Sequence, residues 1–365
     1  MAILFKRTIQ RGSRIRVLVV DDSVVIRRLV THALSEDPAL EVVGFASNGS
    51  IALARVPQLN PDVITLDIEM PEMDGLETLR RLRQIYKDVR VIMFSTLTER
   101  GAAITMEALT LGADDYVAKA SNMGALDRSM ASLRDELIPK IKQFFVLQEP
   151  GSTTLAPPVN GARPLPPPTL IRSTTAPKIA VIGVSTGGPT ALGQLVPQFP
   201  ADFSLPILIV QHMPPLFTRL LAERLQVSSA LKVEEAHEGA SVEVGKVLIA
   251  PGDYHMRVAR KATQTVVTLD QGPPENSCRP AVDVLFRSVE EVYGGACIAT
   301  VLTGMGYDGS RGASVLKAAG AYVIAQDEAT SVVWGMPGAV ARAGLADAIV
   351  PLDGVVPTML KRMAK

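Results

Sequence analysis

Buried strands alternating with helices, on both sides of a proline-rich stretch, constrain this chain more than any other feature. Ahead of that stretch the apolar runs IRVLVV, EVVGFA, DVITLD, VRVIMFS and DYVAK are separated by helical patterns such as VVIRRLVTHAL. Such alternation predicts a parallel sheet, because parallel neighbours need a crossover long enough to hold a helix. Beyond it, KIAVIGV, LPILIVQ, KVLIAP, TVVTL, CIATVLTG and AYVIAQ repeat the arrangement. These runs lack a two-residue alternation, as strands covered on both faces do. The expected fold is α/β, with two doubly wound, mainly parallel-sheet domains.

Between them, QEPGSTTLAPPVNGARPLPPPTLIRSTTAP from Gln148 to Pro177 has no apolar periodicity and little to bury, which predicts a linker. The chain divides into a leader over 1–14, a first domain over 15–136, a linker over 137–176 that is Pro-rich from about 148, and a second domain over 177–365. The leader MAILFKRTIQRGSR has too short an apolar core for a signal peptide and is expected to be a frayed tail.

The balance of charge narrows the partners. Lys and Arg total 37, and so do Asp and Glu, so no basic excess points to nucleic acid or a membrane surface. No run reaches the roughly 18 apolar residues of a membrane span. Cys278 and Cys297 form no CxxC pair, which argues against structural zinc and a disulfide framework and fits a reducing cytoplasm.

In an open parallel sheet, ligands bind beyond the carboxyl ends of the strands. In the first domain those ends carry Asp21 and Asp22, Asp67, Ser95 and Lys119. Converging carboxylates repel unless a divalent cation sits among them, and oxygen ligation suits Mg²⁺. Ser95 and Lys119 are then placed to meet an anion opposite the metal.

Through VLVVDDS, PDVITLDIEMPEMDGLETL, MFSTLT and GADDYVAK, residues 15 to 136 resemble the response-regulator receiver domain, a flavodoxin-like fold. The resemblance implies that Asp67 accepts a phosphoryl group from a phosphohistidine on a partner histidine kinase, with Asp21 and Asp22 helping to hold Mg²⁺. Lys119 pairs with the phosphoryl oxygens, Ser95 reports their arrival, and Tyr116 moves with it. Receivers usually follow that lysine with proline, whereas here Ala120 follows.

In the second domain, VIGVSTGGPTALGQL sets Ser185 where a strand turns into a helix, within a G-x-S-x-G pattern. Pro189 suits a first helical turn, and free amides there can stabilise an oxyanion. A nucleophilic serine needs a base, and the chain has four histidines. His32 belongs to a helix of the first domain and His237 to a charged surface stretch. His255, in APGDYHM, is a candidate site-lining residue. His212 is preferred as the base, because PILIVQH carries it to the end of the strand after that of Ser185.

A carboxylate should fix the imidazole. Asp308, in LTGMGYDG, ranks ahead of Asp253, Asp283 and Asp327, because Gly304, Gly306 and Gly309 let its backbone approach the site. The order Ser185, His212, Asp308 excludes the α/β-hydrolase family, whose acid precedes its histidine.

Two other readings compete. GMGYDG followed by Asp327 fits a dinucleotide fingerprint and hence a receiver-controlled dehydrogenase. A binding module without chemistry is the other. The segments IGVSTGGPTAL, VQHMPPLFT, APGDYHM, NSCRPAVDVLF, LTGMGYDG and QDEATSVVWGMPGAV decide the choice by resemblance: they are similar to the protein-glutamate methylesterases of bacterial chemotaxis, the CheB type, a Rossmann-like α/β domain.

That resemblance implies a hydrolase of glutamate γ-methyl esters on chemoreceptors that also deamidates receptor glutamines. Ser185, His212 and Asp308 are its catalytic residues, and ester hydrolysis requires no cofactor. Amides after Ser185 or around Met305 meet the oxyanion, Thr186 and His255 line the site, and Arg279 either positions the receptor or anchors a loop. Neither nucleic acid nor membrane insertion is expected. The tethered receiver is expected to cover the triad until Asp67 is phosphorylated.

Overall fold

A computed structural model describes residues 7–9, 13–96, 98–119, 126–147 and 175–364. Parts of the leader, Ala120 and most of the linker lie outside these residues.

Strand β1 (Arg7–Ile9) pairs in parallel with β7 (Phe145–Leu147). The first domain holds β2 (Ile15–Val20), β3 (Leu40–Ala46), β4 (Val63–Asp67), β5 (Arg90–Ser95) and β6 (Asp115–Ala118), parallel in the order β3-β2-β4-β5-β6. Helices α1 (Val24–Ser35), α2 (Gly49–Leu59), α3 (Gly75–Ile85), α4 (Glu99–Thr110) and α5 (Leu126–Lys142) alternate with and follow the strands. Each start has a local cause: Ser23, Asn48, Asp74 and Thr98 accept from backbone amides as N-caps of α1 to α4. Two expectations are corrected here. The leader is not all a frayed tail, since part of it forms β1, and regular structure continues to Leu147, past the boundary drawn at 136.

The second domain has a seven-stranded parallel sheet in the order β10-β11-β9-β8-β14-β15-β16. Its strands are β8 (Ile179–Val184), β9 (Ile207–Gln211), β10 (Lys232–Glu235), β11 (Lys246–Ile249), β14 (Cys297–Val301), β15 (Tyr322–Gln326) and β16 (Ala348–Val350). Helices α6 (Gly188–Leu195), α7 (Phe217–Ser228), α8 (Val282–Tyr293), α9 (Ser310–Ala318), α10 (Met336–Arg342) and α11 (Val355–Met363) pack around it. β12 (His255–Lys261) and β13 (Gln264–Asp270) form an antiparallel hairpin outside that sheet. The run TVVTL, expected in the parallel sheet, thus lies in the hairpin: Ala262 is in the left-handed region at φ 55° and reverses the chain too tightly for a crossover.

Strands β4, β5, β8, β9 and β14 are buried at every position, which explains the unbroken apolar runs. Each sheet reverses its order beside its earliest strand, between β2 and β4 and between β8 and β14, and at such a switch point the loops diverge to leave a crevice.

The two domains touch through α4 and β6 on one side and α6 and α7 on the other. Tyr116 stacks on Phe217 with ring centroids 4.8 Å apart and 6° between planes. Thr190 Oγ1 donates to the Leu109 carbonyl oxygen at 3.0 Å, Arg224 Nη1 to that of Met106 at 2.8 Å, and Arg219 pairs with Glu99 at 2.7 Å. Phe217 is fully buried. Phe217→Ala is therefore expected to cost about 3 kcal/mol or more of stability, and a urea unfolding midpoint unchanged from that of the parent would remove the stack from the account.

Candidate active site and receiver site

Register brings the second site together. Val184 pairs with Gln211 and Gly183 with Val301, so the residues leaving β8, β9 and β14 start from one edge. Ser185 N donates to the Thr303 carbonyl at 3.0 Å and His212 N to that of Val184 at 3.2 Å. Gly187 takes φ 76°, a left-handed turn into α6 that an L side chain resists. Gly304 admits the third loop: a Cβ there would lie 2.8 Å from Ser185 Cβ.

His212 Nε2 is 2.8 Å from Asp308 Oδ2. Val282 N at 2.6 Å also donates to Oδ2, while Asn276 Nδ2, Asp283 N and Gly309 N donate to Oδ1. Burial alone would raise the Asp308 pKa, but His212 and these donors hold it below the usual carboxylate value. The other imidazole nitrogen, Nδ1, lies 3.5 Å from Cys278 Sγ. Burial opposes charge on the ring, yet Asp308 and Cys278 outweigh it, and the His212 pKa is pushed up to about 10.

Ser185, Thr186, His212, Cys278, Met305 and Asp308 line one cleft of about 370 Å³. Leu109, Asp115, Tyr116 and Lys140 of the first domain line it too, so the cleft is roofed by the other domain. Asp115 Oδ2 accepts from Thr186 Oγ1 and from Gln143 Nε2, each at 3.2 Å. Lys140 sits 3.6 Å from Asp115 Oδ1 and donates to the Tyr116 carbonyl oxygen.

Not every expected residue is here. His255 is buried in β12, where Nε2 lies 3.0 Å from the Pro273 carbonyl oxygen, and it does not line the cleft; the strand that follows APGD points it into the hairpin packing. Arg279 anchors its loop, pairing with Asp253 and donating to the Gly272 carbonyl at 2.9 Å. Asp327 accepts from Thr330 N and Oγ1 rather than facing the glycine-rich turn. Asp115, Asn276 and Cys278 were not anticipated. Nothing in their spacing reveals them, since a domain contact and a folded-over loop bring them in.

In the first domain, Asp21, Asp22 and Asp67 each offer an oxygen within 4.8 Å of the others, a set of hard donors that fits Mg²⁺. Lys119 Nζ is 2.7 Å from Asp67 Oδ1 and 3.0 Å from Asp21 Oδ2. In this arrangement Lys119 bridges the two carboxylates, its Nζ occupying the Asp21 Oδ2 side of the acidic cluster. Ser95 Oγ donates to the Gly101 carbonyl of α4 at 3.2 Å and accepts from Thr105 Oγ1 at 2.7 Å. Tyr116 is buried.

Comparison with known proteins fits both halves. The family model for the CheB methylesterase matches residues 180–359, and that for the response regulator receiver domain residues 17–131. A Trichodesmium erythraeum protein named protein-glutamate methylesterase/protein-glutamine glutaminase is 51% identical over 352 residues, covering 96% of this chain and 99% of its own. The chain belongs to the CheB methylesterase family. A Nocardioides relative of the same name is 52% identical over 357 residues, covering 96% of each chain. The crystal structure of the Thermotoga maritima CheB methylesterase catalytic domain aligns with a TM-score of 0.50 and 43% identity, covering 51% of this chain and 99% of that one. The receiver and methylesterase matches thus lie in one polypeptide. No helix among the described residues is long and apolar enough to cross a membrane.

Burial, only partly offset by Lys119, raises the Asp67 pKa from 3.8 to about 6. Between these values the folded chain holds more protons at Asp67 than the unfolded chain, so this group lowers stability as pH rises through the window. In metal-free buffer, Asp67→Asn should melt a few degrees above the parent at pH 7, with the difference fading as pH falls from 6 towards 4. Equal melting temperatures at pH 7 would contradict the buried-charge account.

Proposed function

We propose that this chain hydrolyses glutamate γ-methyl esters on chemoreceptors, releasing methanol, and deamidates specific receptor glutamines by the same route, under control of Asp67 phosphorylation. The observation that carries the reading is the His212–Asp308 pair lining one cleft with Ser185 at the switch point of a sheet in a CheB family chain.

Asp308 engages Nε2, so Nδ1 is the nitrogen that serves Ser185. As the ring's neutral form takes the serine proton, Ser185 Oγ attacks the ester carbonyl. Collapse of the tetrahedral adduct expels methanol, protonated by His212. Water, activated by the same nitrogen, then hydrolyses the acyl-enzyme to glutamate. With a glutamine substrate, ammonia leaves instead. Asp308 holds the ring and offsets the imidazolium charge. Amides at the start of α6 and around Met305 serve the oxyanion, each well-aimed donor worth about 10²- to 10³-fold. Ester hydrolysis draws on these residues without a metal.

In the receiver, Asp67 is the phosphoryl acceptor from a histidine kinase, and Asp21, Asp22 and Asp67 would hold Mg²⁺, which shields phosphoryl charge. Lys119 is placed to exchange its carboxylate partners for phosphoryl oxygens. Drawing the Ser95 hydroxyl towards that group would break its bond to Gly101 in α4, the helix that carries the Met106 and Leu109 carbonyls bound by the second domain. Tyr116 would shift from Phe217 in the same step. A phosphoryl group adds close to two negative charges, enough to bias an interface worth a few kcal/mol. The roofed cleft supports occlusion of the triad until then. A protein acting on the cytoplasmic helices of receptors belongs in the cytoplasm.

Methanol release from methylated receptor membranes, with and without a small-molecule phosphodonor and Mg²⁺, tests the whole reading. Ser185→Ala should abolish release while Asp67 is still phosphorylated, and Asp67→Asn should lose activation but keep basal turnover. Normal release by the serine variant would refute the nucleophile. Removing residues 1–150 should raise basal release, and unchanged activity of the folded remainder would count against occlusion.

A further inference from the structure

Asp308 has a second carboxylate beside it. Asp308 Oδ1 and Asp283 Oδ2 both accept from one nitrogen, Asn276 Nδ2, at 2.8 and 2.9 Å. Asp283 is fully buried and Asp308 nearly so. Asp283 Oδ1 is committed to the Gly312 amide at 2.6 Å. Asn276 and Ser277 take φ values of 52° and 64°, and their loop is fixed on one side by a bidentate Glu275–Arg287 pair and on the other by Arg279 and Asp253. The amide is thus held where each of its protons meets a different buried acid.

We propose that Asn276 is a positioning residue for ester hydrolysis, whose side-chain amide separates Asp308 from Asp283 and keeps Asp308 ionised against His212. The inference rests on the triad reading above. An amide carries two donors and no charge, so it can satisfy both carboxylates without neutralising either. Without it, two buried acids would face each other, and like charges at such range force one to hold a proton. Asp283 already shows the strain: burial foremost, and then the Asp308 charge, push its pKa up. The other charged or titratable groups facing this pair are His212 at the end of β9, Glu275 and Cys278 in the loop, and Arg287 on α8, with the α8 amides of Val282 and Asp283. Loss of the donor makes the potential at Asp308 and His212 more negative, so the pair binds its proton at higher pH and the base is lost from the acid side.

The test is the pH profile of methanol release by the full-length chain on methylated receptor membranes, with phosphodonor and Mg²⁺, each variant being compared with the parent at every pH. Asn276→Ala should move the acid limb up by about one unit, with a loss of about tenfold near pH 6 that largely recovers by pH 8.5. Asp283→Asn should move the limb down. The double variant should return it towards the parent, because an amide at 283 can donate to Asp308. A loss that is uniform across pH and unrelieved in the double variant would assign Asn276 a loop-bracing role only and overturn the proposal. If Asn276→Ala does not fold by circular dichroism, Asp283→Asn decides, an unmoved limb being the contrary result. Failure of the triad itself would show separately, as methanol release by Ser185→Ala.

Discussion

Burial of both sheets on both faces is the constraint from which the rest follows. A strand covered above and below carries apolar side chains throughout, so polar chemistry is driven to strand ends and to the loops that leave them. Asp21 and Asp67 leave adjacent strands at the β2–β4 reversal, and Ser185 and the Asp308 loop leave adjacent strands at the β8–β14 reversal. His212 joins from β9 because Val184 and Gln211 are paired. The same rule applied to two domains yields an acidic cluster in one and a Ser, His and Asp in the other.

The domains meet through α4 and β6 of the first and α6 and α7 of the second. Helix α4 is bonded at its first turns to Ser95 and further along to Thr190 and Arg224, so one short helix is read at both ends by different domains. The Tyr116–Phe217 stack adds an apolar contact of the kind that packs in one of two positions rather than deforming smoothly. Asp115 extends the contact into the cleft itself: its carboxylate rests on Thr186, the residue next to Ser185. A receiver in this pose lies over the cleft that holds Ser185, His212 and Asp308.

Much of this was legible from the chain. Most of the strands, the two sheets, the strand-end carboxylates and the places of Ser185 and His212 at strand ends follow from alternation and turn chemistry, because each depends on residues close in sequence or on adjacent strands. What was not legible depends on contacts that no local pattern encodes. β1 forms only because β7, more than a hundred residues later, offers it an edge. TVVTL reads as a buried strand, but Lys261 and Gln264 pair across a tight reversal. His255 follows a strand and a turn, as His212 follows a strand, yet it enters a hairpin instead of the switch point. Cys278, set aside for want of a metal-ligand spacing, reaches His212 because its loop folds back over the sheet edge.

That thiol changes how the imidazole must be understood. In the roofed cleft His212 is flanked by Asp308 on Nε2 and Cys278 on Nδ1, and against the opposing effect of burial these neighbours push its pKa up. General-base catalysis works best when the base titrates near the working pH. The proposed mechanism keeps the Asp308 contact throughout, so under it the adjustable contributions are the contact at Nδ1 and burial by the receiver roof. In the mechanism proposed above, Nδ1 would have to exchange its contact with Cys278 for one with Ser185. Under that proposal the roof and the thiol act in the same direction: one would exclude the ester, and the other occupies the nitrogen that would activate its attacker.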